Sequence, residues 1–301
     1  MTRPARSRKQ VAALVSVASN ATLIGLKIAA GLITGSVAIL SDAVQSTADL
    51  LASLIAFFSI RKAEQPADES HPYGHARLED FSAAIEALLI LLGAAIILFQ
   101  GVRRLIHPAA LDSVGVGIAV IALAGLANLL VSTYLGRTAR ATESPALAGD
   151  AAHLRTDAVV SAGVLVGLVL GQLTGAHWID PVVALVVGAA IARTGLALMI
   201  RSSRVLVDEA PPEEDLDAIK DAVRSFADQG VVGFHELRAR HAGGRHLVDL
   251  HVQFADDSRL KDAHATAHDL QAAIQRRLPH TDVLIHLEPE SKMRPGGEVY
   301  K

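Results

Sequence analysis

Residues 41–49, SDAVQSTAD, set Asp42, Gln45 and Asp49 inside a run of apolar residues long enough to cross a bilayer. The pattern returns at 149–157, GDAAHLRTD, where Asp150, His153 and Asp157 hold the same relative positions in a second apolar run. Residues three, four and seven apart share one face of an α-helix, so each stretch aims two carboxylates and one further donor in a single direction. Ionisable side chains inside hydrocarbon are costly and are functional by default. Brought together, the two faces offer Gln45, Asp49, His153 and Asp157 to one ion, the donor set a divalent cation needs when it leaves water. Asp42 and Asp150, a turn away, are either supporting partners of these ligands, stations for ions along a path, or groups in a watery approach that bind nothing.

Composition agrees with a membrane protein: of 301 residues, 51% are hydrophobic and 20% charged. The long aliphatic runs fall almost entirely within 11–200, and 205–301 has the make-up of a water-soluble domain. With no cysteine, disulfides and thiolate metal sites are excluded, so any metal rests on histidine, carboxylate, amide or water. A formal net charge of -3 gives no electrostatic reason to expect nucleic-acid binding.

Six apolar runs, at 11–33, 36–60, 81–102, 114–135, 145–173 and 182–200, predict an α-helical membrane protein of six transmembrane helices. The basic tail 1–10 before the first run superficially resembles the start of a signal peptide. The run itself is too long for one, contains Asn20 and Lys27, and lacks a persuasive cleavage site. Residues 61–79 and 136–144 are polar and read as loops, the first with two prolines. An even number of spans puts both termini on one side. The basic residues of 1–10, 61–79, 136–144 and 201–204 lie there, opposed among the loops by Arg103 and Arg104. The excess of Lys and Arg predicts that both termini are cytoplasmic and the chain multi-pass in the inner membrane. The expected domains are a tail (1–10), a membrane domain (11–204), a cytoplasmic domain (205–290) and a disordered tail (291–301). After Arg204 the order reads helix, strand, strand, helix, strand, a small two-layer α+β domain.

Two more ligand clusters stand outside the spans. Asp68, His71 and His75 lie in DESHPYGH, close enough to hold a metal at the membrane surface or to cap nearby helices. In the C-terminal domain, strand alternation lets His251, His286 and Glu288 face one side, with His235 joining from a neighbouring strand. His241, His246 and His280 read as solvated surface residues.

QSTAD and HLRTD on the second and fifth spans, QPADESHPYGH in the loop, LVDEAPP after the sixth span and LIHLEP near the end together resemble the cation diffusion facilitator family, over nearly the whole chain. The resemblance implies a proton-coupled antiporter, not an enzyme, which exports divalent cations such as Zn, Mn, Fe, Co, Ni or Cd by alternating access. It implies a homodimer in the lipid bilayer, with a ferredoxin-like cytoplasmic domain binding metal between subunits. On that reading Gln45, Asp49, His153 and Asp157 form the transport site and Asp68, His71 and His75 the loop site. His235, His251, His264, His286 and Glu288 form the cytoplasmic sites, and Arg77 pairs with Asp208 to fasten the two parts. The family usually carries Asp or His where this chain has Gln45. An amide is a neutral, weaker ligand and shifts preference toward ions harder than zinc. The alternative is a non-transporting metal sensor or partner subunit. An intramembrane hydrolase fits poorly, because His71 and His75 flank Pro, Tyr and Gly rather than a general base on a helix.

Overall fold

The computed structural model describes residues 7–34, 37–107, 115–174, 176, 178–292 and 298–299. The chain divides into two compact units, Met1–Ser203 and Arg204–Lys301. Among the described residues the first unit has six helices: α1 (Arg8–Thr34), α2 (Val37–Ala63), α3 (Arg77–Ile106), α4 (Gly115–Thr142), α5 (Pro145–Thr174) and α6 (Ile179–Leu206), which ends just past the division. Each outruns the apolar run that predicts it. Hydropathy marks only the part that meets lipid, whereas a helix continues into water as long as no proline stops it. The expected loop at 136–144 is therefore helical through Thr142, since ARAT favours or tolerates helix and Gly136 alone costs about 1 kcal/mol. Likewise α3 begins at Arg77, inside the expected loop 61–79.

Among the described residues, α1, α3, α4, α5 and α6 contain stretches long and apolar enough to cross a membrane. The helix α2 has 27 residues, with Asp49 on it as Asp150 and Asp157 are on α5. At 1.5 Å per residue, 27 residues reach about 40 Å, the thickness of a bilayer with its headgroups. Leu32, Phe99, Leu130 and Val186 are each more than 60% exposed, an outward apolar surface that water does not tolerate and lipid does.

Small residues let the helices approach. Gly188 of α6 lies against Leu98 and Ile97 of α3, and Gly195 against Ile90 and Leu91, so closely that a Cβ at either would come within 3.0 Å. Gly149 of α5 meets Glu86 of α3 in the same way, at 3.1 Å. Polar pins add direction. Asn20 of α1 donates to the Ser53 hydroxyl of α2 at 2.7 Å, and Ser53 donates to Asp150 of α5 at 3.2 Å. At the end of the bundle where α1 starts, buried Glu79 takes Lys9 at 2.8 Å and the hydroxyl of Ser144. Ser144 in turn accepts the Leu147 N–H at 3.3 Å, capping α5 ahead of Pro145.

The second unit follows the expected order: α7 (Glu213–Arg224), β1 (Val231–Ala242), β2 (Arg245–Phe254), α8 (Leu260–Arg277) and β3 (Thr281–Pro289). The sheet runs β3-β2-β1-β4, with β1 and β2 antiparallel and β2 and β3 parallel across α8. Its last strand, β4 (Glu298–Val299), pairs with β1 and lies in the tail expected to be disordered; 293–297 and 300–301 are outside the described residues. The helices α7 and α8 pack on each other and on the sheet over Ile219, Val223, Leu250, Val252, Leu270 and Ile274. This is a ferredoxin-like two-layer α+β domain. β1 carries a bulge between His235 and Arg238, where Glu236 adopts φ 50°.

Candidate metal sites

Packing of α2 on α5 brings Asp49 to His153 and Asp157. His153 Nε2 lies 3.2 Å from Asp49 Oδ1 and 3.9 Å from Asp157 Oδ2, and one donor atom from each of the three falls within 4.8 Å of the others. Donors around a tetrahedral ion with bonds of about 2.0–2.1 Å stand roughly 3.3 Å apart, so small rotamer adjustments close this set on one cation. Gln45 lies one turn before Asp49 on α2; its side chain and that of Asp42 are outside the described residues.

A cavity of about 590 Å³ touches Asp49, His153 and Asp157. Asn20, Lys27, Ser46 and Asn128 give it polar walls, and it extends to Arg104 and Asp180, which pair at 3.0 Å. Those two residues sit at the end of α3 and the start of α6, so the cavity reaches toward the end of the bundle opposite Lys9 and Glu79. Lys27 is buried and donates to Ser46 at 2.6 Å, placing a cation on the wall of an acidic cavity. Asp150 is fully buried and does not line the cavity; it takes the Ser53 hydroxyl instead.

Glu86 is the residue that sequence reasoning passed over. It is fully buried, its Oε2 lies 3.8 Å from His153 Nδ1, and neither oxygen has a hydrogen-bond partner among the described residues. With Nε2 turned to Asp49 and Nδ1 to Glu86, the imidazole of His153 is held between two carboxylates, an arrangement that fixes ring orientation in metal sites. The signal was available: Glu86 is a carboxylate within a span, the same argument that singled out Asp49.

In the loop, Asp68 Oδ1 accepts from the Ser70 N–H at 3.0 Å, an Asx turn, and from the Ser70 hydroxyl and the His71 N–H at 2.8 Å each. The Ser70 hydroxyl foremost, then His71 and His75, hold this carboxyl well below the usual carboxylate range despite some desolvation. His71 Nδ1 lies 3.1 Å from Asp68 Oδ1 and His75 Nε2 3.2 Å from Asp68 Oδ2. His75 is buried, with neither ring nitrogen hydrogen-bonded among the described residues, so its imidazole is able to serve as a metal ligand.

In the second unit Glu288 gathers three imidazoles. Its oxygens lie 2.8 Å from His235 Nε2, 2.9 Å from His251 Nδ1 and 3.5 Å from His286 Nε2. Hydrogen bonds from His235 first and His251 next, against some desolvation, lower its carboxyl from the ordinary value. Glu236 joins at 3.5 Å from His251 Nε2 because the bulge turns it there, which strand alternation could not foretell. His264 is not brought into this cluster; its Nε2 lies 3.2 Å from that of His268 on the exposed side of α8. Nitrogen and oxygen donors at these separations fit a borderline divalent ion such as zinc.

Fold and sites together define a helical membrane protein in which groups able to ligate a cation meet between helices. Residues 13–207 match the family model of the cation efflux transmembrane domain, and 211–290 that of the cation efflux protein cytoplasmic domain. The chain belongs to this family, the cation diffusion facilitators. It is 36% identical over 277 residues to uncharacterized transporter sll1263 of Synechocystis, covering 92% of this chain and 89% of that one. It is 34% identical over 287 residues to cation-efflux pump FieF of Serratia proteamaculans, covering 95% of each. Among solved structures, CzrB in its zinc form is 26% identical, covers 29% of this chain and 98% of its own, and gives a TM-score of 0.28.

Proposed function

We propose that this cation efflux protein is a homodimer of the inner membrane that exports divalent transition-metal ions from the cytoplasm in exchange for protons. The observation that carries the reading is the meeting of Asp49, His153 and Asp157 at the wall of an intramembrane cavity. Gln45 is the fourth ligand. A metal ion binds these groups only when the imidazole is neutral and the carboxylates are ionised, so metal and protons compete for the same atoms. Protons arriving from the outer side displace the ion there, and their release on the cytoplasmic side resets the site. The cavity supports outward release, since it extends toward Arg104 and Asp180 at the end away from the termini, which the basic residues assign to the cytoplasm. Alternating access then requires the helices to close that path and open the opposite one.

The loop set of Asp68, His71 and His75 and the set of His235, His251, His286 and Glu288 hold further metal ions on the cytoplasmic side. His264, exposed on α8, is available to the site between subunits. Metal bound there favours one state of the spans only in so far as the two states differ in affinity.

The test is metal uptake by proteoliposomes under a pH gradient, across Zn²⁺, Mn²⁺, Fe²⁺, Co²⁺, Ni²⁺ and Cd²⁺. Asp157→Ala is expected to abolish flux, and Gln45→Asp to shift the order of metals toward zinc. A well-folded dimer that moves none of these ions would overturn transport and leave the sensor or partner role.

A further inference from the structure

A third histidine cluster stands apart from those already described. His241 near the end of β1 and His246 near the start of β2 face each other directly across the hairpin, their ring centroids 4.4 Å apart. Two glycines make the turn between them, and Gly243 takes φ 58°, a left-handed conformation that a side chain would resist. The short turn fixes the register, so the two imidazoles cannot drift apart. Asp215, in the first turn of α7, brings its Oδ2 to 3.8 Å from His241 Nε2. One donor atom from each of the three residues lies within 4.8 Å of the others. His246 is 6% exposed, which corrects its reading as a solvated surface residue, while Asp215 and His241 keep about a quarter of their side chains open to water.

This is a different place from the Glu288 cluster. His241 lies six residues beyond His235 and His246 five before His251, which along a strand is about 16–20 Å. Two nitrogens and one carboxylate oxygen, with a side open to solvent for a fourth ligand, make the donor set of a borderline divalent ion; no thiolate is present to draw a softer one. The three donors come from one helix and two strands, so an ion there ties α7 to the hairpin. Because they converge only in the folded domain, binding stabilises it as metal rises.

We propose that Asp215, His241 and His246 form a further divalent-metal site, which takes Zn²⁺ or Co²⁺ and braces the first turn of α7 against the β1–β2 hairpin. The site stands independently of transport, since its test reads bound metal rather than flux.

The experiment uses full-length protein in detergent, stripped with chelator and dialysed against Zn²⁺, with bound zinc counted per protomer. Asp215→Asn with His241→Gln, both at partly exposed positions, is expected to bind one zinc fewer than the wild type and to gain less in melting temperature when zinc is added. The Glu288→Gln variant should keep that increment. The visible absorption of bound Co²⁺ gives a second reading on the single variant His241→Gln, whose spectrum should lose the contribution of one site. Unchanged zinc stoichiometry and affinity, or an unchanged cobalt spectrum, would overturn the proposal.

Discussion

Asp49, His153 and Asp157 place two carboxylates on one imidazole inside a membrane domain, and Glu86 adds a third from behind at 3.8 Å. Glu86 does not line the cavity, so its action on a transported ion passes through His153. Glu86→Gln keeps the shape and removes the charge. It should lower zinc flux roughly ten- to a hundredfold, the usual loss when the partner of a metal-binding histidine is removed. It should also move the pH profile of transport, a change that a merely structural role would not produce; equal profiles would count against it. Glu288 allows a second test at this scale, in the second unit. Its lowered carboxyl adds stability that is present above the ordinary Glu range, near pH 4.3, and is lost as pH falls through the still lower folded value. Thermal unfolding between about pH 5 and 3 should therefore steepen for the wild type relative to Glu288→Gln, and parallel curves would contradict the assignment.

Between elements, glycine decides how near the helices come. Gly188 of α6 would bring a Cβ to within 3.0 Å of Leu98, so Gly188→Leu forces α3 and α6 apart. Overpacking of this kind costs about 1–3 kcal/mol, to be read as a lower melting temperature in detergent, and the cavity wall that α3 and α6 share should lose its form with a matching fall in flux. Unaltered stability would mean that the helices are free to separate. The elements themselves were legible in the sequence, because a span announces itself by hydropathy and the second unit by its change to short alternating segments. Their ends were not: Arg137, Thr138 and Ala139 continue α4 in water, where hydropathy is silent. The ligand pairs were legible because Asp49 follows Gln45, and Asp157 follows His153, by one helical turn. Glu86 stands alone on α3 with no repeat to mark it, and Glu236 reaches His251 only through a bulge, which no periodicity shows. The His241–His246 pair depends on the register of a hairpin, legible as a turn but not as a facing pair of imidazoles.

For the whole molecule, the proposed function is one exchange. If metal and protons compete for the same atoms of Asp49, His153 and Asp157, as proposed, neither should cross without the other moving in the opposite direction. The most direct measurement follows both at once in proteoliposomes with protein inserted and dyes for zinc and for pH enclosed. Zinc driven across the membrane should move protons the other way in fixed proportion, and an imposed pH gradient alone should drive zinc against its own gradient. Asp157→Ala should silence both signals together. Zinc flux that proceeds without proton movement and ignores the pH gradient would contradict the exchange, and with it the competition at His153 from which the mechanism is built.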